Sequence, residues 1–377
     1  MRSSRISARR GLLASAGALT AMLVAAPMAG AVSYKGGPAD FAGLRGGIKV
    51  NRATAPAKRE GSRGFELPVT GGNATMNTAP SGTLTEGGSV QLRLGSKRVT
   101  LSQFREIFAA GRVTISARVG NKTVSLFEGT TPNKITVAGD FSSLSGKSIN
   151  LTLTRKGAAA LNKAFGLKKP RRGRKDKRFK RGQRIGTKSF TAQRALTVVG
   201  GNSNTIYDTA FHDAMTGCGI TLSAIGPATA IPPDPTSAPR GGVDLPAVGG
   251  EINAVTRGGN YTHSGGTHLD DQDADPATPG NQPRSSDLTN FVIDLTVNPP
   301  TLTANASDLG GAPLQIATLE GGSYGFSLTD TGGSVTVTGA TLRFTPFAQQ
   351  ALASLYGCTT IPAGASLGTL NSNLQVE

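Results

Sequence analysis

Phe65-Glu66-Leu67-Pro68-Val69-Thr70-Gly71-Gly72 returns later in the chain as Val243-Asp244-Leu245-Pro246-Ala247-Val248-Gly249-Gly250. Both stretches alternate apolar and other side chains and close on a glycine pair, the pattern of a half-buried strand ending in a tight feature. The match extends outward in both directions. Upstream, Gly46-Gly47-Ile48-Lys49-Val50 and Ala55-Pro56-Ala57 face Cys218-Gly219-Ile220-Thr221-Leu222 and Gly226-Pro227-Ala228. Downstream, Thr85-Glu86-Gly87-Gly88 aligns with His263-Ser264-Gly265-Gly266 to within a residue. Leu101-Ser102-Gln103-Phe104 then aligns with Leu288-Thr289-Asn290-Phe291, and Glu128-Gly129 with Glu320-Gly321. Each copy leaves through a glycine-framed exit, Gly182 to Gly186 and Gly364 to Gly368. Conserved order and spacing over this length mean that the chain is two copies of one unit.

The period inside each unit is two. Val90, Leu92 and Leu94 alternate, as do Val113, Ile115, Ala117 and Val119, and in the second copy Phe291, Ile293, Leu295 and Val297. This predicts antiparallel sheet with one apolar face. One short helix closes each copy: Thr154 through Phe165 before Gly166, and a segment with Thr345 as N-cap, Pro346 at the first helical position and Gly357 at the end. The fold class read from these signals is mainly β: two tandem antiparallel β-sandwich-like domains, each with a short C-terminal helix. Gly 51, Pro 21, no Trp and only 17% charged residues agree, and argue against helical bundles. We place the domains at 41–189 and 205–377, with a linker from about Phe190 to Asn204.

Residues 1–31 read as a secretory signal peptide, with four arginines before the apolar stretch Leu12 to Pro27 and an Ala29-Gly30-Ala31 cleavage site. Arg9-Arg10 also resembles a twin-arginine signal. The mature protein is expected outside the cytoplasm or in the cell envelope, with no membrane span. The two cysteines, Cys218 and Cys358, are then most simply a disulfide within the second unit.

The net charge of +17 is concentrated. Between Lys168 and Arg184 stand eleven basic residues and one acid, Asp176. Lys168, Lys169, Arg171, Arg172, Arg174, Lys175, Lys177 and Arg178 form a loop insertion that the second copy lacks. Its two readings are a solvated loop and a grip on an anionic envelope polymer. With Phe179 as its one aromatic it has no means of stacking on bases, and no nucleic-acid partner is expected. Asp271-Gln272-Asp273-Ala274-Asp275 begins like a calcium loop, but Pro276 and Gln282 stand where glycine and glutamate are needed, so an acidic loop is expected. No Gly-x-Ser-x-Gly, His-Glu-x-x-His or carboxylate pair suggests catalysis, so the protein is read as a non-enzyme. All three histidines, His212, His263 and His268, lie in the second unit, and Tyr261 stands two residues before His263, on the same face of a strand.

At His263-Ser264-Gly265-Gly266 and the following Leu288 to Leu295, the second unit resembles the HtaA domain family over about residues 242–306. That family comprises secreted or surface-tethered actinobacterial domains, several of which bind haem. The resemblance implies a β-rich domain and makes haem the expected cofactor, with Tyr261, His263, His268 and His212 as the candidate ligand and support residues. The chain departs from the family's pattern in three ways. Ala214 stands about where the family's iron-ligating tyrosine falls, with Tyr207 and His212 nearby but out of register. No tryptophan is present, and unit one carries Glu86 in place of His263.

Overall fold

In the computed structural model, residues 31–131, 134–171, 176–233, 241–272 and 284–377 are described. Apart from Ala31, the expected leader lies outside them, as do most of the acidic loop and Arg172, Arg174 and Lys175 of the basic run. Each unit is one antiparallel sheet that closes on itself. In unit one the strands run in the order Gly64–Thr75, Pro38–Ala42, Arg184–Gln193, Ser143–Leu153, Lys122–Thr130, Arg112–Val119, Lys97–Ala109 and Gly82–Leu94, and the last pairs back with the first. Unit two repeats the circuit with Gly242–Asn253, Ala195–Tyr207, Ser366–Val376, Gly333–Phe344, Ala312–Leu328, Thr301–Ala306, Ser285–Asp294 and Gly259–His263. The mainly-β tandem reading holds, refined in one respect: the two faces of each expected sandwich belong to one closed barrel. Eight strands leave an interior just wide enough to be filled by side chains or to hold one small ligand.

Strand register turns the sequence repeat into a position-by-position correspondence. Val69 pairs with Glu86 and Ala247 with His263, so Glu86 and His263 are equivalent and Gly88 matches Gly265, one residue from the sequence alignment. The repeated glycines have physical causes. Gly72 and Gly250 adopt positive φ, and a Cβ on either would lie 2.2 Å from the carbonyl oxygen of Thr83 or Asn260. Gly88 and Gly265 likewise leave no space beside the backbone nitrogens of Ala57 and Ala228. Gln103 and Asn290, both at φ 53, mark a bulge in the same place in both copies. The bulge is followed at once by Phe104 and Phe291, which are buried.

Helix α1, Arg155–Ala164, starts where Thr154 accepts a hydrogen bond from the Gly157 N–H. Helix α2 is Thr209–Gly217. Helix α3, Pro346–Tyr356, is capped by Thr345 and stopped by Gly357 at φ 66. Thus α1 and α3 are the two expected closing helices, and α2 is additional to unit two. Unit one has a short glycine-rich connection, Gly43 to Ile48, in its place. Cys218 and Cys358 form the expected disulfide, with Cα atoms 5.4 Å apart, tying the C-terminal ends of α2 and α3 together.

The expected linker is corrected. Phe190 to Gln193 complete a strand of barrel one, and Ala195 to Asn204 belong to the opening strand of barrel two. Only Arg194 intervenes, and it is fully buried. Its N–H donates to the Ser142 carbonyl, its carbonyl accepts from the Ala254 N–H, and its Nη1 donates to the Thr329 carbonyl. Unit one also begins earlier than expected, at the strands Ala31–Ser33 and Pro38–Ala42. No helix among the described residues is long and apolar enough to cross a membrane.

Candidate functional site

The two barrels differ at the mouth beside the closing helix. In unit one Phe41 stacks on its cross-strand partner Phe65, ring centroids 4.6 Å apart, with Phe104 and Phe127 packed around them. The registers place Thr205 where Phe41 stands, Val243 where Phe65 stands and Ala317 where Phe127 stands. Three phenylalanines become Thr, Val and Ala, while Phe104 keeps its counterpart in Phe291. The volume given up is only partly refilled, by Phe344 in place of Leu153 and by Phe211 of α2, whose ring centroids lie 6.1 Å apart.

A cavity of about 90 Å³ opens in unit two at this place. Thr205, Val243, Leu245 and Phe291 form its floor, and Leu302, Leu314, Ile316 and Phe344 its wall. Phe211 and Met215 of α2 and Ala348, Leu352 and Tyr356 of α3 cover it. The disulfide holds those two helices together, so the roof of the cavity is covalently tied. Among the described residues no lysine, arginine, histidine, aspartate or glutamate lines it. Its polar groups are hydroxyls, chiefly the phenols of Tyr207 and Tyr356. Burial pushes the Tyr207 phenol up to about 12 despite a hydrogen bond with Thr267. The Tyr356 hydroxyl is buried beside Ser286 and Asp308 without a hydrogen bond of ordinary geometry, and burial raises its pKa as well. An apolar hollow with a few convergent polar groups has the chemistry of a small-molecule site, and at about 90 Å³ it holds only a small apolar group unless α2 and α3 move aside.

One layer deeper lies a polar cluster that contains two of the candidate residues. Tyr261 and His263 meet edge to face, ring centroids 5.3 Å apart. His263 Nε2 is 2.8 Å from Ser203 Oγ and Nδ1 3.2 Å from the Phe291 carbonyl oxygen. The Tyr261 hydroxyl is 2.9 Å from Ser372 Oγ, which is bonded in turn to Ser203. Burial lowers the His263 pKa to about 4, so the imidazole is neutral at physiological pH. Both ring nitrogens and the phenol are occupied, and neither residue lines the cavity.

The other two candidates stand apart. His268 alternates with Thr267 and Leu269, which line the cavity, and therefore points to the outer face, its Nδ1 2.6 Å from Asp287 Oδ1. His212 sits on α2 with Nδ1 3.6 Å from Asp213 Oδ1. The structure brings Tyr261 and His263 together and leaves His268 and His212 elsewhere. Among the described residues no group of three or more His, Cys, Asp or Glu side chains could hold a metal ion. Tyr207 and Tyr356 at the cavity were not reached from sequence as a pair, because the register joining residue 207 to residue 356 is set by the disulfide and barrel closure.

The described part of the basic run is partly spent on itself. Arg178 Nε and Nη2 each donate to Asp176 at 3.0 Å, and Phe179 is buried against Phe165 with Asn162 bonded to its backbone on both sides. Among the described residues the run forms no enclosed anion site.

No family model matches the sequence, and no curated protein matches it. Solved structures similar to this chain include two from Corynebacterium glutamicum. One is the C-terminal domain of HtaA from Corynebacterium glutamicum, 15% identical over 48% of this chain and 99% of that one, with a TM-score of 0.32. The other is the heme binding protein HtaB from Corynebacterium glutamicum, 16% identical over 48% of this chain and 95% of that one, with a TM-score of 0.31. Each of these two matches covers about half of this chain.

Proposed function

We propose that the protein is a non-enzymatic binding protein whose second unit takes a small apolar ligand at the mouth of its barrel, haem or a related porphyrin being the first to test. The observation that carries this reading is the exchange of Phe41, Phe65 and Phe127 for Thr205, Val243 and Ala317. One copy of a duplicated barrel is plugged, and the other is hollow. A stably folded barrel gains nothing from an unfilled apolar hollow, since each lost packing contact costs free energy. A ligand restores those contacts.

The donor set at the cavity suits ferric haem only through oxygen. A phenolate is a known axial ligand of haem iron, and Tyr207 and Tyr356 are the phenols within reach of the hollow. Both are neutral in the unliganded protein, so a bound ferric ion would have to displace the proton. Tyr261 and His263, the residues first suggested by the resemblance, would then support the floor of the site without touching the ligand.

Haemin titration of the mature protein, followed by absorbance, tests this. A saturable Soret band near one equivalent, weakened in Tyr207→Phe or Tyr356→Phe and kept in His263→Ala, is the expected result. A featureless titration would remove haem as the ligand. A band lost in His263→Ala but unchanged in both tyrosine variants would move the site to the deeper cluster.

A further inference from the structure

The layer of unit one that corresponds to the His263 cluster is built of charge. Lys188 Nζ contacts both Glu86 Oε1 and Glu106 Oε2, and all three side chains are fully enclosed in the barrel. The second copy has His263, Ile293 and Leu370 at these three positions, so the fold itself does not demand ions here. Phe41 and Phe190 flank the ammonium, ring centroids 5.0 and 5.5 Å from Nζ. Two carboxylates against one ammonium leave an unbalanced charge in an apolar interior, which is costly. Glu86 Oε2 and Glu106 Oε1 have no hydrogen-bond partner to offset it.

We propose that this trio is a self-modifying cross-linking site, in which Lys188 Nζ forms an amide with the side-chain carboxyl of Glu86 and Glu106 handles the protons. Burial, ahead of the other influences, pushes the Glu106 carboxyl up to about 7, so it is protonated for much of the time near neutral pH. Burial disfavours the Lys188 ammonium, but the two carboxylates outweigh it and hold the lysine pKa above its usual value. With Glu106 protonated at the start, the free amine is reached by proton transfer within the trio from Nζ to Glu86 Oε1, the oxygen that later leaves. The amine lone pair attacks Glu86 Cδ, and Glu106 donates its proton to the carboxyl oxygen. The Cδ–O bond of the tetrahedral adduct then breaks as that oxygen leaves as water, and the remaining Nζ proton returns to Glu106. One C–N bond forms, one C–O bond breaks and one water is released, with no oxidant or reductant. Fixed proximity supplies the driving arrangement, and the product replaces an ion pair by a neutral amide.

The link would join strands Gly82–Leu94 and Arg184–Gln193, which are not neighbours in the barrel order. Unit one lacks a disulfide, and this amide would staple it across its interior.

Tryptic peptide mapping by mass spectrometry of the reduced and alkylated mature protein decides the matter. The expected product is the peptide Gly64–Arg93 joined to Ile185–Arg194, lighter by one water than the two together and uncleaved after Lys188. Glu106→Gln is expected to yield the two peptides separately. Free Gly64–Arg93 with full cleavage after Lys188 in the wild-type protein would overturn the proposal, and that reading requires no variant to fold. A bridge to the peptide Glu106–Arg112 would overturn the assignment of Glu86, and a bridge that survives in Glu106→Gln would overturn the role given to Glu106.

Discussion

Phe41 and Thr205 occupy the same position in the two barrels, each opposite its strand partner, Phe65 in one case and Val243 in the other. The difference between a plugged and a hollow barrel is concentrated in these pairs. Thr205→Phe together with Val243→Phe is expected to fill the hollow and reduce apparent haemin affinity at least tenfold. The thermal transition of unit two should move by no more than the roughly 1–3 kcal/mol typical of overpacking. Absorbance titration and calorimetry on the same variant check both halves.

The two buried polar layers should respond to pH in opposite senses. His263 has its folded pKa depressed to about 4, chiefly by burial. An unfolded histidine takes up its proton near 6.5, so this contribution is complete above about 6.5 and is lost as pH falls toward 4, up to about 3 kcal/mol. Glu106 has its folded pKa raised to about 7, again chiefly by burial. Its contribution is complete below the unfolded carboxyl range and is lost as pH rises through 7. Scanning calorimetry from acid to neutral pH should therefore show the two units shifting apart. His263→Gln should flatten the acid dependence of unit two alone.

Reducing the covalent tie over the cavity should affect one unit only. Cys218→Ser with Cys358→Ser is expected to cost unit two about 2–5 kcal/mol, the usual range for a native disulfide closing a long loop. Ligand affinity should weaken with it, because α2 and α3 form the roof. Chemical denaturation monitored separately for each unit provides the check, and an unchanged unit two would mean that packing alone fixes the helices.

The helix caps offer a smaller, cleaner effect. Thr345→Ala removes the hydroxyl that accepts from the Ala348 N–H, 3.1 Å away, and should destabilise unit two by about 1 kcal/mol. Thr345→Ser, which keeps the acceptor, should be close to neutral in the same denaturation experiment.

Much of the architecture was legible because its causes are local. Alternation in Val113 to Val119 marks a strand, and the Thr345-Pro346 to Gly357 frame marks a helix. The duplicated glycines reflect backbone contacts that both copies must make. Barrel closure was not legible, since it depends on pairing between Gly64–Thr75 and Gly82–Leu94 and between Ser285–Asp294 and Thr301–Ala306, and alternation alone fits a sandwich equally well. The linker was misplaced because Thr197 to Asn204 carries glycine, serine and asparagine, which usually mark connections but here line a bulged strand. At the candidate site, the shared face of Tyr261 and His263 was legible in their spacing. Their depth was not, because it is set by which residues of other strands stand above them. The buried trio was hidden for the same reason: Glu86, Glu106 and Lys188 are far apart in sequence and meet only inside the barrel.

Arg194 carries a practical consequence for anyone wishing to study either half by itself. In most tandem proteins a cut several residues to either side of a junction is harmless. Here a cut before residue 194 removes ladder positions from the first barrel, and a cut after it removes them from the second. An isolated half must end or begin at that single position, and it would then expose the pocket that had enclosed the guanidinium. The two copies of this duplicated chain remain, around Arg194, a common piece of structure.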